Sequence, residues 1–152
     1  MKKIDFENSV GMAIKNASKS LERALDVELR GKFGLSGGQW KVIIALSIQN
    51  GLSQKDLAEK IFLDGTTLVP IIDGMEKKEL VERKTDPKDR RNNRIFLTKK
   101  SESVVDSIIE IILQVRKLAY KGLSQEELES ARAILKKIMD NADSVTNKVK
   151  LD

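Results

Sequence analysis

A mostly α-helical fold carrying one small β-hairpin is what this sequence predicts, on three observations. Apolar residues recur at helical spacing over most of the 152 residues. A Ser followed three residues later by Gln, Asp or Glu marks three helix starts, and two short strand-like runs flank a single turn-rich basic segment. With 34% charged and 40% hydrophobic residues, the chain can build a core and reads neither as a disordered tail nor as a membrane protein. One domain over 1–152 is expected, because the length suits one and no Pro-, Gly- or Ser-rich linker interrupts it.

Taken in order, a first helix from about 7 to 30 places Val10, Ile14, Ala17, Leu21 and Ala24 on one stripe. The next begins after Ser36, with Gln39 placed to reach back, and puts Trp40, Ile43, Ile44, Ser47 and Ile48 on one face before the Asn50-Gly51 turn. A short helix follows Ser53 and turns Leu57, Ala58 and Ile61 inward, stopping near Leu63. Thr66 to Lys78 then reads as a helix whose Leu68, Ile71, Ile72 and Met75 fall at i, i+3, i+4 and i+7. Two short helices so close together form a helix-turn-helix candidate over 53–78.

Leu80–Lys84 and Arg94–Thr98 are the strand-like runs, and the turn formers Asp86, Pro87, Asp89, Asn92 and Asn93 lie between them. A helix from about 100 to 121 follows, apolar on two sides through Val104, Ile108, Ile111 and Val115 and through Val105, Ile109, Ile112 and Ala119. After the third Ser cap, Ser124, the last helix carries Leu128, Ala131, Leu135, Ile138, Ala142, Val145 and Val149. Their steps alternate 3 and 4, the spacing of a coiled-coil seam. Terminal helices of this length with surplus apolar faces favour a core shared by two chains, with Val10, Ile14, Leu21, Leu128, Leu135, Ile138 and Val145 at the interface; packing among helices of one chain is the alternative.

Charge is distributed unevenly. Arg83, Lys84, Lys88, Arg90, Arg91, Arg94, Lys99 and Lys100 face only Asp86 and Asp89 within 83–100, a local balance of +6, whereas the whole chain carries +5. All of the positive excess therefore sits in the hairpin segment, which makes a polyanion, nucleic acid first, the expected partner. Arg90 or Arg91 at the tip of a narrow ribbon can enter a minor groove while Lys84, Lys88 and Arg94 neutralise phosphates, and Asp86 and Asp89 are available to hold an Arg in place. On the Thr66–Lys78 helix, the stripe opposite the core shows Thr66, Val69, Pro70, Asp73 and Lys77, with Thr67 in the same first turn. The Thr hydroxyls and the first-turn amides are offered to phosphates or base edges.

What is missing narrows the chemistry. Without Cys or His there is no thiol nucleophile, thiolate metal site, imidazole base or His ligand, so no cofactor and no metal are expected. Paired carboxylates, a Gly-rich phosphate loop and nucleophile motifs do not stand out either, and an enzyme is the weakest reading. The basic start Met1-Lys2-Lys3 meets Asp5 and Glu7 before any apolar run, unlike a signal peptide. The richest apolar stretch, Ile108–Leu113, contains Glu110, so the chain reads as cytoplasmic with no membrane partner.

The order of these pieces resembles the MarR (multiple-antibiotic-resistance regulator) family of bacterial winged helix-turn-helix repressors. The resemblance is carried most specifically by Leu80-Val81-Glu82-Arg83, then Asp86 to Arg91, then Ile95-Phe96-Leu97-Thr98. It implies a DNA-binding lobe over about 36–100 with a wing at 80–98, and dimerisation helices at about 7–30 and 100–149. It implies palindromic double-stranded DNA, read by the Thr66–Lys78 helix in the major groove and by a wing Arg in the minor groove. The expected DNA contacts are Ser53, Gln54, Thr66, Thr67, Val69, Pro70, Asp73, Lys77, Lys88, Arg90, Arg91 and Arg94. A small, often aromatic or phenolic, effector that weakens DNA binding is implied as well, with its binding residues unassigned.

Two positions depart from the family pattern: Pro70 stands where many members carry a basic residue, and Glu79 replaces the Gly that ends the recognition helix. Glu79 must then adopt a left-handed conformation, or the turn must differ. The competing reading from another class is a helical dimeric adaptor whose basic hairpin docks an acidic protein.

Overall fold

The computed structural model describes residues 5–149, with side chains as far as Thr146; Val149, the last step of the heptad series, lies outside the described side chains. The elements are α1 (Val10–Phe33), α2 (Gly37–Ile48), β1 (Leu52–Ser53), α3 (Gln54–Lys60), α4 (Gly65–Lys77), β2 (Val81–Thr85), β3 (Asn93–Leu97), α5 (Lys99–Glu102), α6 (Val105–Ala119) and α7 (Gln125–Val149). This is the mostly helical fold with a small β-element that the sequence predicts. Where one domain is expected, the chain divides into two compact units, Met1–Arg116 and Lys117–Asp152. Among the described residues no helix is long and apolar enough to cross a membrane.

Local chemistry sets most helix starts. The Ser53 hydroxyl accepts from the Asp56 amide at 3.0 Å and donates to the Asp56 carboxylate at 2.7 Å. Ser124 and Glu127 form a reciprocal capping box, with bonds of 3.1 and 2.7 Å. Ahead of α2, the Gln39 side chain reaches back to the Ser36 amide at 3.3 Å.

The core of the first unit is built around α2, and here the expected face needs correcting. Val42, Ile43, Ala45 and Leu46 are buried with Trp40, whereas Ser47 is exposed and Ile48 is 72% exposed. The helix is covered from several directions, by α1, α3, α4 and β3, so its buried positions do not follow one stripe. On α1 the residues that join this core are Leu25, Leu29 and Phe33, at steps of four; Val10, Ile14, Ala17, Leu21 and Ala24 remain exposed or half-buried in the chain.

The sheet has three strands in the order β1-β3-β2, all antiparallel. The hairpin expected from the sequence is β2 and β3. The added strand, β1, pairs Leu52 with Ile95 and Ser53 with Arg94, and so ties the helix-turn-helix to the wing. Gly51 makes this possible: its φ is +76°, and a Cβ there would strike the Phe96 ring. Val81, Ile95 and Leu97 point into the core, while Glu82, Lys84, Arg94 and Phe96 share the opposite face.

The single helix expected over 100–121 is broken into α5 and α6. Serine side chains capture backbone carbonyls at the break. Buried Ser101 donates to the Leu80 carbonyl at 2.5 Å, and Ser103 donates to the Lys100 carbonyl at 2.7 Å. Of the two apolar sides expected there, Ile108, Ile111, Ile112 and Val115 are buried, and Ile109 and Ala119 are exposed.

Glu79 does take the left-handed conformation, at φ +59°, and Phe62, in the turn between α3 and α4, does so at φ +55° while 83% exposed. A Cβ in that region carries a backbone cost of about 1 kcal/mol, part of which glycine returns through its freer unfolded chain. Glu79→Gly is therefore expected to raise stability by about 0.5 kcal/mol, read as a higher urea midpoint with unchanged slope.

Candidate nucleic-acid interface

The outward face of α4 is largely as expected. Leu68, Ile72 and Met75 are fully buried, which leaves Thr66, Val69, Pro70, Asp73 and Lys77 exposed on the other side. Pro70 sits inside the helix, which continues through it to Lys77.

The start of α4 differs from expectation. Asp64 is its N-cap: its carboxylate accepts from the Thr67 amide at 2.8 Å, from the Thr67 hydroxyl at 2.7 Å and from the Thr66 hydroxyl. Those bonds hold its pKa far below the ordinary carboxylate range, with the Thr66 hydroxyl as the largest cause. The Thr hydroxyls offered to phosphates or base edges are thus turned back onto Asp64, and the first turn already holds a negative charge of its own. Asp64 was open to sequence reasoning, since an Asp three residues before Thr67 is a capping pattern.

At the start of α3, the Ser53 hydroxyl is likewise engaged with Asp56. Gln54 is half-buried and lines a shallow depression of about 470 Å³ with Lys55, Asp64, Gly65 and, from the wing, Asn92.

In the wing, the carboxylate of buried Asp86 organises the turn. It accepts from the Lys88 amide at 2.8 Å and from Arg94 Nε at 2.7 Å, and Arg94 also donates to the Gly51 carbonyl at 3.0 Å. The Lys88 amide first, and then Arg94, lowers the Asp86 pKa below its ordinary value. Arg94, expected among the phosphate contacts, is a strut from the wing to the residue before β1, with its side chain still 41% exposed. Its guanidinium is drawn in because Asp86 is buried and has one strong cationic partner within reach.

The charge of the segment is also more balanced in space than along the chain. Arg83 pairs with Asp73 at 2.7 Å and with Glu76, Lys84 with Glu82 at 2.6 Å, and Lys100 with Glu79 at 3.7 Å. These acids precede residue 83 and are brought onto the segment by the fold. Asp73, on the exposed face of α4, is therefore already committed to Arg83. The cations of the segment left exposed with no ion pair among the described residues are Lys99, at the start of α5, and, at the tip, Lys88 and Arg90. Arg91, its side chain 92% exposed, meets Asp89 at 3.3 Å. Asp89 also receives the Arg91 amide and the Asn92 side chain, so it shapes the turn from which both arginines project.

A second feature of the same unit is a cleft of about 640 Å³ beside α2. Trp40, Ile44, Ile48 and Phe62 supply apolar surface, and Lys41, Lys60 and Arg116 supply positive charge. Trp40 is fixed by its indole N–H, which donates to Asp26 at 3.0 Å, and Lys41 is paired with Glu22 at 2.6 Å.

A helix-turn-helix followed by a two-stranded wing whose tip extends exposed cations defines the class of winged helix-turn-helix DNA-binding proteins. The MarR family model matches residues 35–92. The transcriptional regulator SarZ of Staphylococcus aureus is 32% identical over 106 residues, which span 67% of this chain and 70% of that protein. The chain belongs to the MarR family of transcriptional regulators.

Solved structures agree on the fold. The transcriptional regulator PA3341 superposes with a TM-score of 0.81 at 28% identity, covering 90% of this chain and 99% of that one. BpsR of Bordetella bronchiseptica, whose DNA binding is regulated by 6-hydroxynicotinic acid, superposes with a TM-score of 0.81 at 22% identity. That match covers 91% of this chain and 99% of that one.

Proposed function

We propose that this chain is a cytoplasmic repressor, without catalytic activity, that binds a palindromic double-stranded DNA site as a homodimer and is released by a small aromatic or phenolic effector. The observation that carries the reading is the wing. Asp86 and Arg94 hold the ribbon rigid, and Lys88, Arg90 and Arg91 project from its tip. In this reading the lobe over about 36–100 meets DNA, with Thr66, Thr67, Val69, Pro70 and Lys77 toward the major groove and Arg90 or Arg91 in the minor groove. The helices over about 7–30 and 100–149 pair two copies through Val10, Ile14, Leu21, Leu128, Leu135, Ile138 and Val145; Leu128, Ile14 and Leu21 are half-buried in the chain and the other four exposed. The two recognition helices then stand one DNA turn apart, about 34 Å.

The cleft beside Trp40 suits the effector, because a flat apolar wall next to Lys60 and Arg116 matches an aromatic ring bearing a negative group. Trp40 emission would report its entry.

Selection of bound duplexes from a random pool tests the reading, since it reports binding, symmetry and half-site spacing together. A pseudo-palindrome is expected. On the selected duplex, Arg90→Ala with Arg91→Ala is expected to weaken binding and to flatten the slope of log K against log salt by about one unit per phosphate contact removed. Unchanged binding would remove the wing from the interface. Equal competition by heparin would favour an acidic protein as the partner.

A further inference from the structure

We infer that the exposed face of α4 reads the methyl groups of thymine and not the hydrogen-bonding edges of bases, so that the preferred half-site is rich in A·T pairs and accepts 5-methylcytosine in place of thymine. This rests on the DNA-binding reading above and adds the substrate class it takes.

The major groove offers a protein donors, acceptors and one apolar feature, the thymine methyl. The side chains that recognise the polar features in pairs are Arg or Lys for guanine and Asn or Gln for adenine. The sequence of α4, Gly65 to Lys77, contains no Arg, Asn or Gln, and its one Lys is the last residue.

Apart from Lys77 at the C-terminal end, the polar side chains of this helix are already engaged. Both Thr hydroxyls donate to Asp64, and the Asp73 carboxylate is 2.7 Å from the Arg83 guanidinium. What the first two turns still present is carbon: the Thr66 and Thr67 methyls, the Val69 side chain and the Pro70 ring, all exposed.

An apolar face of this kind enters a DNA groove only if something else supplies attraction to phosphate. The wing tip does so through Lys88, Arg90 and Arg91, in the same compact unit. An arginine placed in the minor groove favours the narrow groove of A-tracts, where the negative potential is strongest. Helix and wing therefore select the same base composition through different physics. The Asp64 carboxylate contributes in the negative sense, since it disfavours a phosphate at the helix start.

The test uses the full chain and the duplex selected above, with affinity read by fluorescence anisotropy at one salt concentration. Deoxyuridine replaces thymidine at the half-site, which deletes only methyl groups. In a second series, C·G pairs replace the T·A pairs, with the cytosines either plain or 5-methylated. Each contacted methyl removed is expected to weaken binding about fourfold, the effect of burying one such group. The methylated cytosine duplex is expected to bind more tightly than the plain one.

Thr66→Ser keeps the hydroxyl for Asp64 and removes the side-chain methyl, so the deoxyuridine penalty is expected to shrink in that variant while its thermal unfolding stays unchanged. Tight duplex binding that is indifferent to deoxyuridine would overturn the inference and leave the DNA-binding reading standing. Failure of any duplex to bind better than heparin would overturn both.

Discussion

Replacing Leu135 and Ile138 together by Glu is expected to convert the protein to a monomer by light scattering and to weaken binding to the palindromic site by at least about 100-fold. Both residues lie on the 3-4 repeat of α7, which runs from Gln125 to Val149, and are 41% and 37% exposed in the chain. Four carboxylates buried across a two-chain seam would be neither paired nor hydrated, a penalty that adds to the removal of the apolar side chains which would otherwise join the two helices. A monomer holds one half-site at a time and forgoes the high effective concentration that the second lobe gains once the first is bound. Neither side chain belongs to the core of the first unit, so its helical signal and unfolding profile are expected to persist. A variant that remains dimeric would move the interface away from this seam.

How far the fold is legible in the sequence depends on how local its causes are. The starts of α3 and α7 need only Ser53 with Asp56 and Ser124 with Glu127, partners three residues apart, and both are read correctly. The inward face of α4 follows from its own periodicity. Features set from a distance are not legible. Strand β1 is two residues long and exists because Leu52 meets Ile95, more than 40 positions away. The break before α6 depends on the Leu80 carbonyl receiving Ser101, and a run of apolar residues carries no sign of that bond.

The candidate site divides in the same way. That cations gather on a hairpin is visible in the linear sequence, and the tip residues Lys88, Arg90 and Arg91 are indeed outward. Which cations stay available is not visible, because charge counted along a chain ignores partners supplied by the fold. Arg83 is neutralised by Asp73 and Glu76 of α4, and Arg94 by Asp86 across the turn. On α4, residue identities alone place Thr hydroxyls toward DNA; only the position of Asp64 shows that they face the helix cap.

Asp86→Asn tests whether the strut matters to function. The amide oxygen can still accept from the Lys88 amide, but the amide nitrogen would meet Arg94 Nε as a donor facing a donor, and the ion pair is lost. The strands themselves persist through their ladder from Val81–Leu97 to Thr85–Asn93, so the damage is expected to centre on the tip. There, Arg90 and Arg91 would lose a fixed direction, and operator affinity is expected to fall by about tenfold. The salt slope is expected to change little, because no outward cation is removed, which separates this variant from Arg90→Ala with Arg91→Ala.

The pH dependence has a defined sign. The folded Asp86 pKa lies below its ordinary 3.8, so the contribution of its charge is complete above that value and is lost as pH falls through the lower folded one. The thermal-stability gap between wild type and Asp86→Asn is accordingly expected to be flat from about pH 5 to 8 and to close as the pH falls from the ordinary value of 3.8 through the lower folded one. A gap that stayed constant into strong acid would show that geometry at position 86, and not its charge, holds the wing.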